Sequence, residues 1–295
     1  MTGLRWIGAL LGLGLAVSTA AAAVDYVPHP LQLNRVNRKI AGQVIDYTRN
    51  HRGDNRIWSN ALQEKRDMYV YLPPNYDPAQ KYPLLLWLHA AGHDEHEFIQ
   101  NLVQLFDQAI VAGDLPPMIV ASPDGSLWRR PSWVTAGSFF INSRAGAFED
   151  FIMEDVWNFL MENYPIRPER EAHVFAGASM GGFGVYNLGF KYPDRVKILI
   201  ALFPPLNLRW VDCHCRYRGN FDPCCWGWRT KLRPNEVIAR FYLIFPVRIK
   251  RLTDPLFGRG PDVIWEISRE NPIEMLEPYD VQPGKFDMYL GYGGQ

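Results

Sequence analysis

The stretch "HVFAGASMGGFG", residues 173–184, decides the fold. Its first half is a continuous apolar run that reads as a strand. Its second half opens "MGGFGVYNLGFKYPDRV", which reads as a helix. Between them lies Gly177-Ala178-Ser179-Met180-Gly181, a G-x-S-x-G pattern. A sharp strand-to-helix turn lifts the serine hydroxyl clear of the backbone. The N–H of Met180, at the positive end of the helix, then points to where an oxyanion would form. The glycines and Ala178 let strand and helix approach without side-chain clashes. The pattern marks Ser179 as a candidate nucleophile; the plain alternative is a glycine-rich turn with an incidental serine.

Working outward, strand-like and helix-like patches alternate. "DMYVYLPP" reads as a strand near a sheet edge, stopped by Pro73-Pro74. "YPLLLWLHA" and "PPMIVASPDG" read as strands covered on both faces. "HDEHEFIQNLVQLFDQAIVAG" reads as a helix capped by Asp94 and ended by Gly113. "AFEDFIMEDVWNFLMENYP" places Phe148, Phe151, Ile152, Val156, Phe159 and Leu160 on one helical face. "KILIALFPPL" and "FDMYLGYGG" read as strands. "PNEVIARFYLIFPVRIKRL" and "PDVIWEISRENPIEML" read as helices, and residues 29–66 as a polar, basic lead-in. This alternation predicts an α/β fold with a mostly parallel sheet and helices on both faces.

"LHAAGHDE" repeats the logic of the serine turn, following an apolar strand and preceding a helix. Ala90 and Ala91 are too small to block a substrate, so an N–H of this pair is a candidate second oxyanion donor, with His89 ordering the loop. "SPDGSLWRRPSWVTAGSFF" follows a strand at the carboxyl edge of the sheet, where open α/β sheets build their sites. Trp128 and Trp133 are candidate substrate-binding residues there. Phe139 and Phe140 fit either a pocket wall or the core.

The bulk numbers exclude some partners. Lysine plus arginine and aspartate plus glutamate stand at 31 each, which argues against a nucleic-acid groove. Residues 1–23 have the layout of a signal peptide: Arg5, an apolar stretch Trp6–Val17 too short to span a bilayer, and small residues Ala20–Ala23. A retained membrane anchor is the alternative. The expected mature chain, 24–295, is secreted or periplasmic, with no membrane span. Cys213, Cys215, Cys224 and Cys225 crowd into "CHCRYRGNFDPCC", which in an oxidising compartment suggests disulfides. A zinc knot with His214 is the alternative, although the spacing fits no standard zinc pattern. No cofactor or metal is implied.

Three stretches carry a family resemblance: "YVYLPPNYDPAQKYPLLLWLHAAG", "SFFINSRAGAFEDFIMEDVWNFLMENYPIRPEREAHVFAGASMGGFGVYNLGFKYPD" and "GYGGQ". They resemble an esterase family of α/β-hydrolases that includes feruloyl and acetyl-xylan esterases, S-formylglutathione hydrolases and mycolyltransferases. The resemblance runs from about Asp67 to Asn207 and resumes at the end, with an insertion at about 208–280. It implies an α/β-hydrolase fold and a carboxylic-ester substrate, carbohydrate- or small-molecule-linked. It also implies Ser179 as nucleophile, with Met180 and Ala91 as oxyanion donors. This chain reads His89-Ala90 where the family has His-Gly.

A serine needs a histidine to take its proton and an acid to orient that histidine, in the chain order serine, acid, histidine. Downstream of Ser179 the sequence holds only His214, which precedes every acid of the last strand region. By the resemblance, the acid follows the strand matching "MYLGYGG". Asp280 and Asp287, before and within that strand, are poor substitutes. The expectation is a hydrolase lacking the acid, the histidine and a final strand and helix. Two alternatives are an exported binding protein with an esterase-like pocket, and a rebuilt site using His214, His93 or His96.

Overall fold

The computed structural model describes residues 32–129, 137–212, 214, 224–241 and 245–292. Seven strands form the central sheet: β1 (Gln43–Tyr47), β2 (Met68–Leu72), β3 (Leu84–Leu88), β4 (Ile119–Pro123), β5 (His173–Ala178), β6 (Ile198–Leu202) and β7 (Asp287–Gly291). Their spatial order is β1-β2-β4-β3-β5-β6-β7. β1, β2 and β4 pair antiparallel; β4, β3, β5, β6 and β7 pair in parallel. Every residue of β2, β3, β4 and β5 is buried, as continuous apolar runs predict for strands covered on both faces.

The helices are α1 (Gln32–Asn37), α2 (Val103–Val111), α3 (Trp157–Asn163), α4 (Met180–Lys191), α5 (Ile249–Phe257), α6 (Val263–Glu270) and α7 (Pro272–Met275). Wide turns at Phe98–Leu102 and Phe151–Val156 lead into α2 and α3. On one side of the sheet Leu84, Leu86, Leu88, Phe175 and Leu199 pack with Val156 and Leu160 of the α3 region and Phe183 and Leu188 of α4. On the other, Leu85, Trp87, Val120 and Ala176 meet Phe98, Phe106 and Ile110 of the α2 region. Phe139 and Phe140 are buried in the first of these cores, which resolves their two readings in favour of packing.

Several expectations change. "DMYVYLPP" lies one strand in from the edge, because β1 forms inside the supposed polar lead-in. β1 is a half-exposed antiparallel edge strand, so only Val44 is buried. The helix expected over "PNEVIARFYLIFPVRIKRL" is instead a hairpin, Val237–Phe241 with Phe245–Arg248, and helix begins only at Ile249. β-branched and aromatic residues favour the pleated form there, and Pro246 cannot donate within a helix. "PDVIWEISRENPIEML" divides at Asn271, since Pro272 opens α7 and holds its predecessor extended. A second small hairpin, Trp210–Asp212 with Trp226–Trp228, leaves the end of β6.

α2 covers only part of its side of the sheet. A groove of about 370 Å³ remains beside it, over β5, β6 and β7, lined by Leu85, Val174, Ile198, Ile200, Tyr289 and Leu290 among others. In β7 all residues but Gly291 are exposed. No helix among the described residues is long and apolar enough to cross a membrane.

Candidate active site

Ser179 occupies the corner between β5 and α4 with φ 51° and ψ −112°. A non-glycine residue in this region carries about 1–3 kcal/mol of strain, held by its surroundings. Here the Ser179 N–H donates to Leu202 O at 2.7 Å, and Ser179 O accepts from the Phe183 N–H at 3.0 Å. The glycines are obligatory. A Cβ at Gly177 would lie 2.7 Å from both Leu88 O and Gly181 C, and one at Gly181 would lie 1.9 Å from Leu88 O. The serine corner therefore packs against the end of β3, and the Ala90-Ala91 turn leaves from that same point. Ser179 is half-buried, and among the described residues its Oγ has no hydrogen-bond partner.

Met180, the first residue of α4, is buried, and a Cβ at Gly137 would come within 2.1 Å of its Sδ. The loop after β4 thus returns against the serine corner. Trp128, on the turn after β4, is 55% exposed. Trp133 lies outside the described residues.

His89 orders the loop, as expected. Its Nε2 accepts from the Gly125 N–H at 2.8 Å, which leaves Nδ1 to donate to Ala90 O at 2.9 Å. The ring is therefore neutral, and complete burial holds its pKa down. The chain of bonds continues: the Ser138 hydroxyl donates to Gly125 O at 2.6 Å and accepts from the Phe140 N–H at 3.1 Å. The turn after β3 and the loop after β4 are thus tied together by largely buried groups.

Beneath this loop lies a set of buried acids that sequence reasoning passed over, apart from Asp94 as a cap. Asp94 accepts from the His96 N–H at 3.0 Å. Asp124 pairs with the buried guanidinium of Arg66 at 3.1 Å. Burial, then the neighbouring Asp124, pushes Asp94 up to about 7; burial pushes Asp67 up to about 6 and raises Glu95 well above the usual range. The available signal was polar residues at strand ends, "RDMY" and "SPDG", which the sheet topology brings to one edge.

Among the described residues no hydrogen bond joins a candidate base to the serine. His93 faces Glu97 at 3.4 Å, and His96 packs beside the Tyr69 ring at 6.3 Å. His214 is exposed, 3.9 Å from Asp212. Asp280 is exposed, and Asp287 faces Lys197 at 3.7 Å. Among the described residues no group of three or more His, Cys, Asp or Glu side chains could hold a metal ion.

Comparison with known proteins places the fold and the family. Endo-1,4-beta-xylanase Y of Acetivibrio thermocellus is 30% identical over 192 residues, covering 63% of this chain and 16% of that protein. An esterase of Mycobacterium tuberculosis is 27% identical over 174 residues, covering 57% and 36%. The chain thus matches only a fraction of the length of these curated relatives. Among solved structures, the fluorophosphonate-binding serine hydrolase F of Staphylococcus aureus superposes with a TM-score of 0.55 at 14% identity, covering 84% of this chain and 78% of that one. A ferulic acid esterase gives 0.53 at 17% identity, covering 86% and 92%. The fold is that of the α/β-hydrolases. With residues 59–265 matching the family described as "Putative esterase", the chain belongs to that esterase family.

Proposed function

We propose that this protein is a secreted carboxylic-ester hydrolase in which Ser179 Oγ attacks the acyl carbon. The N–H groups of Met180 and Ala91 hold the resulting oxyanion, and each such donor contributes about 3 kcal/mol to the transition state. The observation that carries this reading is the strained Ser179 corner at the N-terminus of α4, packed against the turn that holds Ala91. Trp128 and Trp133 flank the acyl or sugar group of the substrate. Residues 1–23 act as the export signal, and four cysteines crowded between Cys213 and Cys225, of which Cys213 and Cys215 lie outside the described residues, suit an oxidising compartment. No cofactor takes part.

The acid and the histidine come from a strand-and-helix segment beyond β7. The open edge of β7 and the apolar groove beside α2 support this reading, because one further strand and one apolar helix face would cover both. The test is a chain extended through that segment, assayed on feruloyl, acetyl and longer acyl esters. Hydrolysis is expected, falling at least about 10⁴-fold in Ser179→Ala. Equal rates on all three esters would defeat the aromatic pocket.

Among the described residues no side chain bonds Ser179 Oγ, and this favours a second reading, an exported binding protein with an esterase-like pocket. Ligand binding without turnover, in both the 295-residue and extended chains, would establish it.

A further inference from the structure

We propose that the segment between β6 and β7 carries a binding surface for a neutral polysaccharide, built from Trp226, Trp228 and Trp265 around Arg209. This surface stands independently of ester hydrolysis at Ser179. Trp226 and Trp228 lie two residues apart on one strand of a hairpin, so they share a face. Their rings meet edge to face, with centroids 5.2 Å apart at 88°, forming an open corner. Arg209 lies 5.9 Å from the Trp228 ring and 5.5 Å from that of Trp265 on α6, which joins hairpin and helix into one aromatic row. Arg209 is buried, bonded to Glu274 at 2.5 Å and to Arg229 O at 3.1 Å. The row is therefore fixed before any ligand arrives, which reduces the entropy lost on binding.

The three rings stay 42%, 37% and 59% exposed. Indoles held rigid and left open to water are the exception in a surface that has no partner for them. What surrounds them selects the partner. Arg209 is matched by Glu274, and Arg229 by Glu236 through two bonds of 2.7 and 2.9 Å. Glu266 and Arg269 follow Trp265 on its helix with opposite signs. The site has no single-sign field to draw an anionic lipid surface or a nucleic acid. A sugar ring fits both features: its C–H face lies on an indole, and its hydroxyls reach the rim of paired charges. A polymer of such rings engages the row at successive units. The hairpin begins at Trp210, soon after β6 ends beside Ser179, so the row leaves the fold from the same sheet edge as the candidate nucleophile.

The test is native affinity electrophoresis of the intact chain in gels containing hydroxyethylcellulose, neutral arabinoxylan or galactomannan. Retardation is expected in at least one polymer, with affinity about tenfold weaker in the Trp226→Ala, Trp265→Ala double variant and retained when both become Phe. On the unaltered chain, the retarding polymer is expected to protect Trp226 and Trp265 from N-bromosuccinimide oxidation read by mass spectrometry. That readout decides the matter if the alanine variant fails to fold. Absence of retardation in all three gels overturns the proposal. So does unchanged affinity in a folded double variant, unprotected tryptophans, or binding to phosphatidylcholine vesicles in place of the polymers. None of these outcomes bears on turnover at Ser179.

Discussion

A methyl group at position 181 would sit 1.9 Å from Leu88 O, a separation no packed structure tolerates. Gly181→Ala is therefore expected to cost about 3 kcal/mol or more, measured as a lower urea midpoint, because backbone must move on both sides. Gly113 offers the contrast. It sits at φ 78° with nothing within 4 Å of the added carbon, so Gly113→Ala is expected to cost only about 1 kcal/mol, the price of a left-handed backbone. His89 is bound by a different constraint. His89→Ala leaves the buried Gly125 N–H without its acceptor and opens a void, an expected loss of about 2–4 kcal/mol by chemical denaturation.

Between elements, Lys191 at the end of α4 clamps two others. Its ammonium lies 2.5 Å from Glu149, ahead of α3, and 2.7 Å from Glu270 at the end of α6, and little of any of the three is exposed. Lys191→Met would leave two nearby carboxylates facing each other without a cation. The expected loss is about 2–3 kcal/mol, and Glu149→Gln in the same chain should recover part of it. A double-mutant cycle in urea measures both. Through Glu270 the clamp ties α6, in the segment between β6 and β7, to α4.

At the scale of the molecule, the buried acids set a pH dependence of opposite sign to that of ordinary ion-paired acids. Asp67 and Asp94 hold their protons to about pH 6 and 7 when folded, and only to about 3.9 when unfolded. The folded state binds more protons in that interval, so stability is expected to fall as pH rises from about 4 to about 7. Urea midpoints across that range check the slope, and Asp94→Asn should flatten it. The open β7 edge has its own consequence. Among the described residues β7 pairs only with β6 and leaves Met288 and Leu290 exposed, so the chain is expected to self-associate on concentration. Leu290→Lys should reduce that association in light scattering while leaving the unfolding midpoint unchanged.

The local pattern of the sequence was enough for the serine corner, the buried strands on either side of it and the α/β class. Each rests on contiguous residues: Gly177 to Gly181 write their own turn, and "LLLWL", bounded by Pro83 and the Ala90-Ala91-Gly92 turn, reads as a strand covered on both faces. The resemblance added the family. Other features needed the folded chain. β1 hides in a polar stretch because one antiparallel edge needs only Val44 buried. The hairpin at Val237–Arg248 imitates a helix because short apolar runs fit either period. The rope from Ala90 through His89 to Phe140, the acids at 67, 94 and 124, and the row from Trp226 to Trp265 join residues far apart in the chain. No period or spacing records such neighbours; the sheet gathers the first two sets at its strand ends, and Arg209 joins the third by bridging the hairpin and α6.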